Sequence, residues 1–192
     1  RNVSYIFLGS RKHLFERLFQ DPNRPFYKSG KHIPLARLPV EEVKKHVKEK
    51  FNLGKIAVKP NVLSLIAEKG AGHPYYTQLL CHILWDECFD KKEISIQDVE
   101  TALDKMLKRE SEVYETVLDK LAQKQKSLLA ALSSEPAAQI FSSPFLSRYR
   151  LGNPSSVQKA LQLLIEKDIL DREGDRVVFQ DPFFGLWLQK RQ

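Results

Sequence analysis

Two turns near the C-terminal end constrain this chain more than any other feature. Leu151-Gly152-Asn153-Pro154-Ser155-Ser156 forms a tight turn that leads directly into a helix. About twenty residues on, Arg172-Glu173-Gly174-Asp175-Arg176 separates Ile169–Asp171 from Val177–Phe179. These two short apolar runs read as the strands of a hairpin with a Gly-Asp turn. The residues before the first turn are helical in pattern over Lys126–Ser133 and Pro144–Arg150. The helix after it spans Pro154–Lys167, with Val157, Leu161, Leu164 and Ile165 on one face.

Three helices followed by a β-hairpin is the order of a winged helix-turn-helix. On the helix after the turn, Ser155, Ser156, Gln158, Lys159 and Gln162 fall away from the apolar face, where they are free to meet phosphates or base edges. Arg148 and Arg150 precede the turn and Arg172 and Arg176 flank the wing tip, so two basic clusters bracket that helix. Arginine and lysine in such places contact phosphates first and specify sequence weakly. The same surface serves protein contacts equally well. Residues 123 to 192 hold 10 Lys/Arg against 7 Asp/Glu, a modest excess for a DNA-binding unit.

At the other end, Val3-Ser4-Tyr5-Ile6-Phe7-Leu8 is an apolar run closed by Gly9-Ser10-Arg11. It reads as a buried parallel strand, which is covered on both faces and needs neighbours reached through long crossovers. Nothing later in the chain supplies them, so the sequence is expected to begin inside an α/β domain whose other strands lie upstream. Such a strand would be disordered, taken up by a neighbouring copy of the chain, or packed against the helices that follow. Ser10 and Arg11 fall at the carboxyl end of the strand, where open α/β sheets place ligand contacts. There a hydroxyl and a guanidinium can meet a terminal phosphate. An ordinary strand-to-helix turn with a surface arginine is the alternative.

Between these ends the pattern is helical. A short helix is expected over Lys12–Gln20, then turn chemistry at Asp21-Pro22-Asn23-Arg24-Pro25 and an extended segment at Ile33–Leu35. Pro39 opens a helix to about Leu53, and further helices run from about Asn61 to Lys69 and from Tyr75 to about Phe89. The last of these buries Leu79, Leu80, Ile83 and Leu84. Ser95-Ile96-Gln97-Asp98 caps a helix whose periodicity, from Val99 through Val113, Val117 and Leu118 to Leu121, carries to about Ala122 with a break near Ser111. The intervening Gly72-His73-Pro74-Tyr75-Tyr76 can bring backbone and an aromatic ring close to a flat ligand such as adenine, or can simply start a helix.

Bulk properties exclude several classes. The charge of +7 is concentrated early: residues 1 to 60 hold 14 Lys/Arg against 5 Asp/Glu, whereas 61 to 123 hold 7 against 12. A basic first third suits phosphates or an acidic partner surface, or marks a solvated lysine-rich helix face over 41 to 50. No apolar stretch approaches the ~20 residues of a membrane span, and the start lacks the pattern of a signal peptide, so a cytoplasmic protein is expected. Cys81 and Cys88 sit seven apart on a helix, too far apart for a disulfide, and read as packing thiols. With His73 and His82 they match no metal-ligand spacing, so no metal site is expected. There is no Gly-x-x-x-x-Gly-Lys-Ser/Thr loop and no apolar strand ending in acidic residues to hold magnesium, so nucleotide hydrolysis by this chain alone is not expected.

Five stretches in order resemble the C-terminal half of the archaeal-type ATPases, a branch of the AAA+/STAND P-loop NTPases. They are Tyr5-Ile6-Phe7-Leu8-Gly9-Ser10; Pro25-Phe26-Tyr27 with Ile33-Pro34-Leu35; Gly72-His73-Pro74-Tyr75-Tyr76-Thr77-Gln78; Ser155-Ser156-Val157 with its helix; and Asp181-Pro182-Phe183-Phe184-Gly185-Leu186-Trp187-Leu188. Lys28-Ser29 stands where many relatives carry Gly-Arg. The resemblance implies that residues 1–38 are the C-terminal remnant of a P-loop core, 39–122 a helical lid and 123–192 a winged helix-turn-helix domain. The expected fold is mainly α with one remnant strand of an α/β core. Ser10 and Arg11 would lie near the γ-phosphate and Gly72, His73 and Pro74 near the adenine. ATP or ADP with magnesium would be bound only together with a Walker-bearing core. DNA through the winged helix, or a protein partner or second copy through the opening strand, are the implied partners.

Overall fold

The computed structural model describes residues 3–9, 12–33, 35–136 and 139–191. After α1 (Lys12–Phe19), most helix starts are set by a proline or a small polar cap. Pro39 precedes α2 (Val40–Leu53), and prolines fill the first positions of α3 (Pro60–Gly70) and α4 (Pro74–Cys88). Proline is tolerated there because a first-turn N–H has no helical partner to lose. Ser95 opens α5 (Ile96–Asp119) with a reciprocal capping box, its hydroxyl accepting from Asp98 N while the Asp98 carboxylate accepts from Ser95 N. In the C-terminal region come α6 (Gln123–Ser134), α7 (Ser143–Arg148), α8 (Pro154–Glu166) and α9 (Pro182–Lys190), the last three capped by Ser142, Asn153 and Asp181.

Helices α2 to α5 pack around Val43, Val47, Phe51, Val62, Ile66, Leu80, Leu84, Val99 and Leu103, all buried. Two connections of this bundle meet as a short parallel pair, β1 (Ala57–Val58) beside β2 (Glu93–Ile94). Two residues per strand leave too little periodicity for a sequence to announce. Beyond α5, helices α6, α8 and α9 pack together, and β3 (Leu170–Glu173) pairs antiparallel with β4 (Arg176–Phe179). Gly174 has φ +61° and Asp175 does not have a positive φ, the pattern of a type II′ hairpin turn. The two halves share one continuous core, because the end of α5 carries Tyr114 against the rings of Phe184 and Trp187.

The mainly helical class and the winged-helix order stand as expected, but three details differ. Val3 to Gly9 form no strand: Tyr5, Ile6 and Leu8 are largely exposed, and among the described residues no segment pairs with this run. An apolar run has no intrinsic strand geometry without a partner to satisfy its backbone. Phe7 instead packs against Phe19 and Phe26, with ring centroids 5.6 and 6.2 Å away, rather than on the helical bundle. Helix α5 is unbroken through Ser111, whose hydroxyl accepts from Trp187 Nε1 at 3.1 Å rather than from the backbone. Near its end Tyr114 is buried and Val113 is exposed, the reverse of the expected face. Leu80 and Leu84 are fully buried as expected of α4, with Leu79 and Ile83 at the margin of the core. Both cysteines are free thiols, and burial pushes that of Cys81 up to about 12. Among the described residues no helix is long and apolar enough to cross a membrane.

Candidate functional site

The turn between α7 and α8 is built from two left-handed residues, Arg150 at φ +49° and Gly152 at +72°, on either side of fully buried Leu151. Lys124 Nζ reaches across from α6 and donates to Leu151 O at 2.8 Å. Asn153 then caps α8, its Oδ1 accepting from Ser156 N at 2.9 Å. Helix α8 buries Val157, Ala160, Leu161, Leu164 and Ile165 and turns Gln158, Lys159 and Gln162 outward.

The polar residues around this turn divide into two groups. Ser155 Oγ donates to Asn153 Oδ1 and Ser156 Oγ to Asn153 O, both at 2.9 Å, so both hydroxyls spend their protons on the cap. Gln162 donates to Glu166 at 3.2 Å, and Arg148 forms an ion pair with Glu135 at 2.6 Å. By contrast, Arg150, Gln158, Lys159, Arg172 and Arg176 are exposed and have no side-chain partner among the described residues. Of the other basic side chains that flank this region, Lys126 pairs with Asp119, Lys190 with Asp104 and Arg191 with Glu115, while Lys167 is exposed without a side-chain partner among the described residues. A cavity of about 650 Å³ opens beneath the wing, floored by Leu132, Ile140 and Leu161 and edged by Phe141, Arg172 and Arg176.

Helix, helix, capped turn, outward-facing helix and hairpin are now in one place. Residues 112–190 match the family described as a probable winged helix domain. The match starts inside α5 and ends on the last turn of α9, so it includes Tyr114, the helix-turn-helix and the whole wing. No curated protein matches the chain.

A second cluster lies where the winged helix meets the helical bundle. The turn from α3 to α4 passes through Ala71 at φ +48° and Gly72 at +68°, and Gly72 is buried beneath Leu38, whose N–H donates to Gly72 O at 2.8 Å. Beside it, Arg37 spreads its guanidinium over three acceptors: Ala71 O at 3.0 Å, Phe179 O at 2.8 Å and the Glu173 carboxylate. One side chain therefore joins the α3–α4 turn to both strands of the wing. His73 is the N-cap of α4, with its ring edge-on to Tyr76 at 4.6 Å and its Nδ1 buried without a partner. Burial, then the neighbouring Arg37, lower its pKa, while Asp181 partly offsets them. Asp181 is the acceptor at the centre: Oδ1 receives Phe183 N at 2.8 Å and Phe184 N at 3.2 Å, and Oδ2 receives the Tyr114 hydroxyl at 2.9 Å. Burial and Asp181 together raise the pKa of both Tyr76 and Tyr114.

Of the residues expected near a nucleotide, Ser10 and Arg11 lie outside the described residues. Gly72 faces the 37–38 segment and His73 faces inward, which leaves Pro74 and the exposed ring of Tyr75 on the outer side of that turn. Arg37 and Tyr114 carried no chemical signal in the sequence. Asp181 alone was findable, since an acidic residue before proline and an apolar run is a helix start. Among the described residues no group of three His, Cys, Asp or Glu side chains has metal-holding geometry.

Proposed function

We propose that this chain is the lid and winged-helix portion of an archaeal-type ATPase and acts as a nucleotide-controlled switch. ATP binding and hydrolysis would need a Walker-bearing core that this sequence does not contain. The division is then 1–38 for the core remnant, 39–122 for the lid and 123–192 for the winged helix. The observation that supports this reading is the Arg37 contact set. Through Ala71 O, the turn that carries Gly72-His73-Pro74, which the resemblance puts at the adenine, shares a guanidinium with the wing, so a displacement at one is felt at the other. The exposed outer side of Pro74 and Tyr75 is the part of the turn able to receive a base edge. The test is calorimetry with ATP on a protein whose upstream coding sequence has been restored. Micromolar-range binding that is absent from residues 1–192 alone is expected; no affinity in the longer protein sinks the reading.

A second reading has its own support, namely contact with a nucleic-acid backbone through the winged helix. The side chains of Arg150, Lys159, Arg172 and Arg176 are exposed and unpaired, while Lys126, Arg148, Lys190 and Arg191 are engaged within the fold. Gln158 stands beside Lys159 on the outward face of α8 and is placed for base edges; Ser155, Ser156 and Gln162 would have to exchange internal hydrogen bonds to join it. Titration of a short duplex over a salt series decides the matter. Each lost phosphate contact flattens the dependence of log K on log salt by about 0.9. Unchanged slopes for Lys159→Ala and Arg172→Ala would favour a protein partner instead.

A further inference from the structure

Glu173 has two cations within reach and takes one. Arg176 stands directly opposite it in the hairpin register, a position where opposite charges ordinarily pair. The carboxylate instead accepts from Arg37 Nε, a partner 136 residues away in sequence. The choice has a physical cause. Arg37 is held by two further acceptors, Phe179 O and Ala71 O, so its guanidinium is already oriented and its side chain is only 20% exposed. A pre-ordered, partly shielded arginine loses less entropy on pairing, and salt screens it less, than an exposed arginine at a hairpin tip. The result is that Arg176 is left without a carboxylate.

We propose that Arg37 sets the anion-binding capacity of the wing. Docked on Glu173, it leaves Arg176 open to the phosphates of a nucleic-acid backbone. When the 37–38 segment lifts away from Gly72, the released Glu173 carboxylate turns to Arg176 and withdraws it. The α3–α4 turn would thereby control how many phosphates the wing can neutralise. This rests on the backbone-contact reading of the winged helix and adds its regulation.

The experiment is a fluorescence anisotropy titration of a labelled 20-base-pair duplex over a salt series, with folding of each variant checked by circular dichroism. Arg176→Ala is expected to flatten the slope by about 0.9, and Arg37→Ala by the same amount although Arg37 touches no phosphate. The two together should lose no more than either alone. Additive losses of about 1.8 would mean that Arg37 acts through its own charge, and would overturn the proposal. Glu173→Gln gives an independent arm that leaves Arg37 in place. Its slope should equal that of the parent, since Glu173 is already engaged; a gain of about 0.9 would show that Glu173 holds Arg176 in the unaltered protein, and would overturn the proposal even if Arg37→Ala does not fold. If the unaltered chain binds no duplex at any salt, the backbone-contact reading falls and this inference with it. A bound duplex with an unmoved Arg37→Ala slope removes the inference alone.

Discussion

The Tyr114 hydroxyl donates to Asp181 Oδ2 at 2.9 Å, joining the end of α5 to the cap of the last helix across 67 residues of chain. The other oxygen of the same carboxylate closes the N-terminus of α9 through Phe183 N and Phe184 N. Tyr76 of α4 lies within the electrostatic influence of Asp181 and packs edge-on against Phe183, with ring centroids 5.2 Å apart. The helical bundle and the winged helix therefore meet on one carboxylate that caps a helix and accepts from the buried Tyr114 phenol.

This makes Asp181 a site of unequal losses. Asp181→Ala removes an N-cap and strands the Tyr114 hydroxyl, which together should destabilise the protein by about 2 kcal/mol. Tyr114→Phe removes one donor and leaves the cap, for about 1 kcal/mol. Asp181→Asn keeps a capping oxygen and should fall between them. Urea denaturation of the three variants measures the order, and an Asp181→Ala loss no larger than that of Tyr114→Phe would contradict the arrangement.

The start of α5 gives a pH prediction of defined sign. Burial pushes the Asp98 carboxyl up, but hydrogen bonds from Lys91 and Ser95 outweigh it and hold the group at about 2, below its ordinary value of 3.8. A carboxylate more acidic in the folded state stabilises the fold fully above the unfolded value and loses that contribution as pH falls through the folded one. The share owed to Asp98 should therefore be intact at pH 5 and decline between about 4 and 2. Asp98→Asn should be less stable than the parent at pH 5 and nearly equal to it at pH 2, by denaturant titration at each pH. A constant gap across that range would rule out the linkage.

His73 sets a second window with the same sign from a different group. Its pKa lies below the ordinary 6.5, chiefly through burial and then through Arg37, with Asp181 pulling the other way. The unfolded chain then binds more protons than the folded one below pH 6.5, so stability falls as pH drops from 6.5 toward the folded value and is level above it. His73→Gln, which cannot titrate, should flatten the pH dependence as pH falls from about 7 while leaving the acid limb of Asp98 in place. An unaltered profile would place the titration elsewhere.

How much of this could be read from the sequence follows the range of the interactions. Prolines and caps act within four residues, so Pro39, Pro74, Ser95 and Pro154 marked helix starts to within a residue or two. The winged-helix order was legible for the same reason, since each turn is local. The opening apolar run misled because periodicity records what a segment needs and not whether a partner is present. Ser111 looked like a helix break because its hydroxyl competes for backbone bonds, yet here it takes the indole N–H of Trp187 from 76 residues away. Arg37 was invisible: its acceptors lie 34, 136 and 142 residues on, and no local pattern encodes them.

Three glycine substitutions separate the strain of the α3–α4 turn from its crowding. Gly72 has φ +68°, and a Cβ added there would lie 2.6 Å from Leu38 O and 3.1 Å from Arg37 Cβ, a backbone oxygen and the stem of the clamp. Gly152 has nearly the same backbone angle, φ +72°, but the nearest atom to its added Cβ is Lys124 Nζ at 3.5 Å, the movable end of a side chain. Gly30 has neither a positive φ nor any atom within 4 Å. Gly30→Ala should therefore change stability by less than about 0.5 kcal/mol, and Gly152→Ala should cost the left-handed penalty alone, about 1 kcal/mol. Gly72→Ala should cost that penalty plus the displacement of Leu38, about 3 kcal/mol in all. Because Leu38 and Arg37 move together, Gly72→Ala should also speed amide exchange in β3 and β4, which Gly152→Ala should leave as it was. Equal losses at Gly72 and Gly152, or an unchanged wing in Gly72→Ala, would show that the 37–38 segment does not bear on the turn.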